Sequence, residues 1–221
     1  MKKFLYLFSL SILTFACTNR EVQLPETDSS AITEVNDISP IYIFYNEDGS
    51  ADFNRNNMIG TTNWLVNIDK RLTLNDLVPH LKFLQEKRSK AGMHKNENAR
   101  NYFTCFNPEQ KNLSFIDFTD IIFEDNQARI VLDSDTSDTK IHLKTSKDID
   151  VTPFNGSKFK TEFSLLENAI QTMIDSSSAT IDIQLLFDAN VQYQDYITLK
   201  SILLNLDSDR IHISNNELIY K

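Results

Sequence analysis

Apolar and polar positions along the chain fall into two spacings, one of strands and one of helices. Residues 41–45 are β-branched and aromatic and run into Asn46-Glu47-Asp48-Gly49, which predicts a strand and a turn. Residues 64–68 predict a second strand. Leu74, Leu77, Leu81 and Leu84 then recur at helical spacing, with Thr73 and Asn75 as candidate caps. Pro79 is tolerable there if Asn75 or Asp76 is the cap, because it then falls near the first turn. Residues 102–106 predict a strand. Ser114 is expected to cap a second helix with Phe115, Phe118 and Ile122 on its face and Ile121 beside them, and residues 128–132 to close with a strand.

The rest of the chain reads similarly. Residues 141–144 and 150–152 predict strands, and residues 161–175 a helix that frays into Ser176-Ser177-Ser178. Ile181, Ile183 and Leu185 alternate with Asp182 and Gln184 before a continuous apolar run to Phe187, again a strand. Tyr196, Leu199, Leu203 and Leu206 share one helical face. Residues 210–214 and 217–220 are expected as a hairpin around Asn215-Asn216.

These series suggest one unit present twice. Residues 106–132 lie over 187–213 without a gap at an offset of 81, pairing Arg129-Ile130 with Arg210-Ile211. Upstream the offset is 89, with Leu74, Leu77, Leu81 and Leu84 over Phe163, Leu166, Ile170 and Met173. The difference is taken up in the polar loop 89–100. The fold class expected is α+β. Two tandem units, 39–133 and 139–221, each pack two helices on one face of a sheet of about three to five strands. The opposite sheet faces, with residues such as Gln184 and Thr104, are expected to be free, and the two units to associate as an intramolecular pseudo-dimer.

The N-terminus changes the picture of where the chain resides. Lys2-Lys3 precede residues 4–15, which are apolar, Ser or Thr, and Ala16-Cys17 follows. That is a leader peptide, 1–16, and its apolar run is shorter than the about 20 residues a membrane span needs. Leu13-Thr14-Phe15-Ala16-Cys17 resembles a loose lipobox of the kind seen in Bacteroidota lipoproteins, though Thr14 and Phe15 depart from the usual residues. The resemblance implies cleavage before Cys17 and lipidation of its thiol with diacylglycerol and a further acyl chain such as palmitate. Two or more chains, at about 0.8 kcal/mol per buried CH₂, make a stable anchor. The alternative is an ordinary cleaved leader with Cys17 a free thiol. Residues 18–38 are polar and aperiodic and read as a flexible tether, with a reach of about 25 Å. Localisation follows as a bacterial envelope, facing the periplasm or the cell surface.

Charge and cysteine count narrow the partners. The formal charge is −9, and loss of Lys2 and Lys3 with the leader makes it −11, which disfavours nucleic acid. With Cys17 acylated, Cys105 has no disulfide partner and reads as a small buried hydrophobe.

Residues 183–203, from Ile183-Gln184-Leu185-Leu186-Phe187-Asp188 through Val191, Tyr193 and Tyr196-Ile197, resemble the periplasmic domain of the ExbD/TolR family of biopolymer transport proteins. There an apolar strand ends in an Asp-containing turn, a Val-x-Tyr start opens a helix, and a final strand follows. The resemblance covers residues 140–221, and 40–132 only through the repeat. It implies a fold that docks peptides, peptidoglycan or envelope proteins. The family's membrane helix and its carboxylate have no counterpart here, so a proton relay does not carry over.

No residues assemble into visible chemistry. His80, His94, His142 and His212 have no metal-ligand spacing, and His142 and His212 are expected on strands facing solvent. No phosphate loop or nucleophile elbow is present. Residues 133–138 are acidic but lack the Gly and Glu of a calcium loop, so they read as a linker, and Glu124-Asp125 and Asp207-Ser208-Asp209 as turn formers. No catalytic, cofactor or metal residue is assigned. The expected function is a non-enzymatic, lipid-anchored envelope module that binds a protein partner or the cell wall. The alternatives are a small-ligand-binding lipoprotein and a divergent hydrolase whose site is assembled from distant segments.

Overall fold

The computed structural model describes residues 20–28, 32–90, 96–125, 138–154, 156–206 and 209–221. Along the chain run β1 (Ile38–Tyr45), β2 (Ala51–Asn54), β3 (Asn63–Ile68), α1 (Leu74–Ser89), β4 (Asn101–Asn107), β5 (Asn112–Asp117), β6 (Ile122–Glu124), β7 (Thr139–Thr145), β8 (Asp148–Thr152), β9 (Phe159–Thr161), α2 (Phe163–Ser176), β10 (Ile181–Asp188), α3 (Tyr193–Asn205) and β11 (Ile211–Tyr220). They build two mixed sheets, ordered β2-β1-β3-β4-β5 and β6-β11-β10-β7-β8-β9. In the first, β3 lies between β1 and β4 and is parallel to both; in the second, β10 lies likewise between β7 and β11. Antiparallel hairpins flank them, β1–β2 and β4–β5 in one sheet and β7–β8–β9 in the other. Strands between parallel neighbours are covered on both faces, which is why β3 and β10 carry the continuous runs Trp64-Leu65-Val66 and Leu185-Leu186-Phe187.

One apolar core joins both sheets. Tyr196 of α3 packs against Phe103 of β4 and Phe187 of β10, with ring centroids 5.9 and 5.1 Å apart, so this helix lies between the sheets. Arg88, near the end of α1, is buried with no carboxylate paired to it among the described residues. Its guanidinium stacks 3.8 Å over Trp64 and donates to the Asn101 side chain and the carbonyls of Gly60 and Thr62. Burial pushes it down to about 10. The β1–β2 turn needs its glycine: Gly49 adopts φ +86° and donates to the Asn46 carbonyl.

Several expectations are corrected. Residues 112–117 form strand β5, not a helix capped by Ser114, because they complete a hairpin with β4 through pairs such as Cys105–Ser114. The apolar spacing of Phe115 and Phe118 therefore belongs to a strand and the turn after it. Residues 211–220 form one continuous strand instead of a hairpin. Its register shifts against β10 between Ile183–Ile213 and Leu185–Glu217, so Asn215-Asn216 sits in a bulge. At the offset of 81, Phe115 in β5 would match Tyr196 in α3, so that alignment relates elements of different kind. Thr104 is buried and Gln184 half-buried, so neither is a free face. The closing strand expected at 128–132 lies outside the described residues.

The expected tether also differs over residues 20–28. Pro25 and Thr27 are buried, the Pro25 carbonyl accepts from Phe106 N at 2.9 Å, and Thr27 N donates back to the Phe106 carbonyl at 3.0 Å. β4 extends beyond the end of its pairing with β3, and this strap fills the vacant place beside it.

Thr73 is the cap of α1. It forms a capping box with Asp76, with Thr73 Oγ1 accepting from Asp76 N and the Asp76 carboxylate accepting from Thr73 N. Pro79 therefore sits well inside the helix, exposed, where it cannot donate to the Asn75 carbonyl. Pro79→Ala is expected to stabilise the protein by about 1–3 kcal/mol, read from the urea midpoint at unchanged slope. An unchanged or lowered midpoint would show that the helix bends there to a purpose.

Candidate functional site: the paired turns and the buried polar triad

The two central strands end in the same way. The β3 corner ends in Asp69, whose carboxylate accepts from Arg71 N at 3.1 Å and whose carbonyl accepts from Leu72 N at 3.2 Å. β10 ends in Asp188, whose carboxylate accepts from Asn190 N at 2.8 Å and whose carbonyl accepts from Val191 N at 3.0 Å. Each Asp closes a turn through its own side chain and delivers the chain into a helix. Equivalent positions are 119 residues apart, Asp69 with Asp188, Leu72 with Val191, Leu74 with Tyr193, Leu77 with Tyr196 and Leu84 with Leu203. All of these except the Asp188 position are buried.

The two turns also bind each other. Thr73 and Gln192 form an antiparallel bridge. Leu74 N donates to the Val191 carbonyl at 2.9 Å, and Tyr193 N to the Leu72 carbonyl at 2.7 Å. Outside these, Asn75 N donates to the Ala189 carbonyl and Gln194 N to that of Lys70. Every bond maps onto another when the two segments are exchanged, which is a local two-fold relation between the turns.

The strap crosses this seam. Glu26 N donates to the Gln194 side chain, which donates back to the Glu26 carbonyl, while Lys70 Nζ lies 2.8 Å from the Glu26 carboxylate. Gln23 N donates to Asp69 Oδ2. Burial alone would raise the Asp69 carboxyl, but hydrogen bonds from Arg71 and Gln23 outweigh it and leave the group below its ordinary value. At the end of the strap, Thr27 and Asp28 meet the hydroxyl of Ser201.

The symmetry breaks most sharply inside the core. Where α1 has Leu77 and Leu81, α3 has Tyr196 and Lys200, and where β4 has Phe103, β11 has Glu217. Glu217 is fully buried; it accepts from Lys200 Nζ at 2.6 Å and from the Tyr196 hydroxyl at 2.8 Å. The bulge in β11 turns Glu217 inward. Burial, and then the Glu217 charge beside it, push the Tyr196 phenol well above its ordinary value. The triad was not legible in advance, because Lys200 reads as a surface residue of α3 until the bulge places Glu217 beneath it.

The residues singled out from sequence fall elsewhere. Cys17, His94 and residues 133–137 lie outside the described residues. Cys105 is buried among apolar groups, and burial pushes its thiol far up, out of the reactive range. His80 is half-buried against Phe53, and burial lowers it. His212 is exposed, 3.1 Å from Asp182. His142 is buried instead of solvent-facing, opposite Asp150 on the neighbouring strand, and burial lowers it. Among the described residues, no group of three His, Cys, Asp or Glu is placed to hold a metal, and no helix is long and apolar enough to cross a membrane.

Asp125 pairs with Lys82 and Lys221. Asp150 receives Lys144 and Lys158 at 2.7 and 2.8 Å; burial would raise its carboxyl, but the lysines hold it at about 2. A carboxyl depressed in the folded state contributes stability above its unfolded value near 4 and loses it as pH falls toward the folded value. Acidification from pH ~5 to ~2 is therefore expected to remove on the order of 1–2 kcal/mol through Asp150. Asp150→Asn should flatten that part of the unfolding free energy against pH; an identical slope would assign it to other carboxylates.

A cleft of about 490 Å³ lies where the start of β7, the end of β8, the C-terminal end of α2 and the start of β10 meet. Thr139, Ser178, Phe154 and Met173 line it with hydroxyl and apolar groups, and Phe154 is exposed at it. Compared with family models, curated proteins and solved structures, the chain matches none.

Proposed function

We propose that this chain is a lipid-anchored, non-enzymatic module of a bacterial envelope, a tandem pair of related α+β units standing in for a dimer, and that it binds a protein partner or the cell wall. The observation that carries the reading is the reciprocal bonding of the two turns, which joins the halves as a two-fold interface joins subunits. The second unit supports it further. Asp188, Val191, Tyr193 and the Tyr196-Ile197 pair occupy the turn and helix start that the ExbD/TolR resemblance implies, and β11 follows as the final strand. Among the described residues, the first unit has a single helix where the second has two. Buried Asp69 and Arg88 in the first unit and Glu217 in the second are engaged in holding the fold, while the cleft beside Phe154 presents the mixed lining that recognition uses.

Cys17→Ser is expected to release the protein from the membrane fraction or block its maturation, and a normally processed Cys17→Ser protein still pelleting with membranes would end the anchor claim. Binding is tested with a photo-crosslinking residue at Phe154 in cells, with Leu165 as an exposed control. One discrete adduct, with protein or with sacculi, is expected from position 154 alone. No adduct from 154, together with no co-sedimentation with sacculi, would refute the binding role. The cleft itself favours a second reading, a lipoprotein that binds a small neutral molecule, which the same residue would report as protection from crosslinking by the ligand.

A further inference from the structure

We propose that the docked strap holds one end of the first sheet, the end bearing the β1–β2 turn, against the lipid headgroups. This rests on the lipid anchor at Cys17 proposed above. Arg20 is the first described residue, and its guanidinium is bonded to Asp52 and to Asn46 at 2.8 Å. It also lies 4.4 Å over the Phe44 ring. Three peptide steps join Cys17 to Arg20. They span at most about 11 Å however they are arranged, against about 25 Å for a free tether of the whole segment. A lipid on Cys17 therefore brings the surface around Arg20 to the headgroups as long as the strap stays docked.

Docking is secured far from Arg20 as well. Gln23, Pro25, Glu26 and Thr27 are bonded to Asp69, Phe106, Gln194 and Ser201, so the strap is fixed to both halves. The surface it brings down suits an interface between water and lipid. Tyr42 and Phe44 stack at 5.7 Å on one face of β1, and Arg71 lies 4.4 Å over Tyr45. Of the carboxylates there, Asp52 is paired with Arg20 and Asp69 with Arg71, while Glu47 and Asp48 are exposed on the turn itself. Rings with a polar end and stacked guanidinium groups are the side chains that settle at headgroup level.

Orientation is the measurable consequence. β1 runs from Ile38, beside Asn63, to Tyr45 at the turn. Residues 55–62 lead from Asn54, beside Tyr42, to Asn63, beside Ile38, so Asn57 lies roughly 10–20 Å from the turn. The mature chain, beginning at Cys17, is coupled through that thiol to a maleimide lipid in phosphatidylcholine vesicles containing brominated phosphatidylcholine. Cys105 is buried and does not compete. Tryptophan is introduced by Glu47→Trp at the turn or by Asn57→Trp away from it, both exposed positions, with buried Trp64 as the common background. Quenching is expected to be several-fold stronger from position 47 than from 57. Arg20→Ser, which removes the contacts to Asp52, Asn46 and Phe44 and lengthens the free tether to the next docked residue, Gln23, should narrow the difference between the two signals. Equal quenching at both positions in the otherwise unaltered chain, or stronger quenching at 57, would overturn the proposal. Mass spectrometry of the natively produced protein separates the other failure: an unmodified Cys17 would remove the anchor, and the native membrane contact with it, whatever the vesicles show.

Discussion

Replacing Glu217 with Leu is expected to destabilise the protein by about 3–5 kcal/mol, because it leaves the Lys200 ammonium buried without its carboxylate. Lys200 Nζ has Glu217 as its partner at 2.6 Å, and its side chain is 10% exposed. The Tyr196 hydroxyl loses its acceptor in the same change. A Lys200→Met, Glu217→Leu double variant should recover most of the loss. The first half already shows that apolar residues can occupy these positions: Leu81 stands where Lys200 does and Phe103 where Glu217 does, and both are fully buried. A buried ion pair often contributes little to stability against an apolar set of similar volume. What the pair does supply is register. Glu217 follows the bulge, and a slip of β11 by one residue would turn its inward residues out. The double variant should therefore fold but broaden the amide signals of residues 211–220. If Glu217→Leu alone costs under about 1 kcal/mol, the ammonium must reach water, and the triad is not the closed unit its burial indicates.

Sequence periodicity located most of the elements that the core consumes. β1, β3, β4, β7, α2, β10 and α3 are each covered by an expected run, because each buries a face whose apolar residues recur at the period of the element. It failed where period and context disagree. Phe115, Phe118 and Ile122 match a helix by spacing, yet the hairpin with β4 claims the first of them. Asn215-Asn216 read as a turn and form a bulge, since β10 on one side and β6 on the other keep β11 extended. The strap is polar and aperiodic, and only the unpaired end of β4 gives it a place. Apolar matches at an offset of 81 set strand β5 over helix α3 by chance, and those at 89 set helix α1 over helix α2, away from the turns. The relation at 119 rests on Asp69 and Asp188, polar residues whose side chains close the same turn, and a search weighted to apolar identity passes over them.

Phe103→Ala is expected to destabilise both halves together, by about 3–5 kcal/mol. Phe103 belongs to β4, but its ring stacks on Phe118 at 3.9 Å and meets Tyr193 and Tyr196 of α3 edge-on at 5.6 and 5.9 Å. Removing it empties the space between a strand of the first sheet and the helix that carries the second half's side of the seam. A chain of this kind has about 5–15 kcal/mol in total, so the variant loses a large fraction of its stability. Because the turns exchange backbone bonds in both directions, neither half can shed that seam without exposing donors and acceptors of the other. Hydrogen exchange should thus show protection falling in β10 and α3 as much as in β3 and β4, and urea unfolding should keep one transition with an unchanged slope. If β10 and α3 kept their protection while β3 and β4 lost theirs, the halves would be independent units on one chain. The covalent stand-in for a dimer would then give way to two domains that happen to touch.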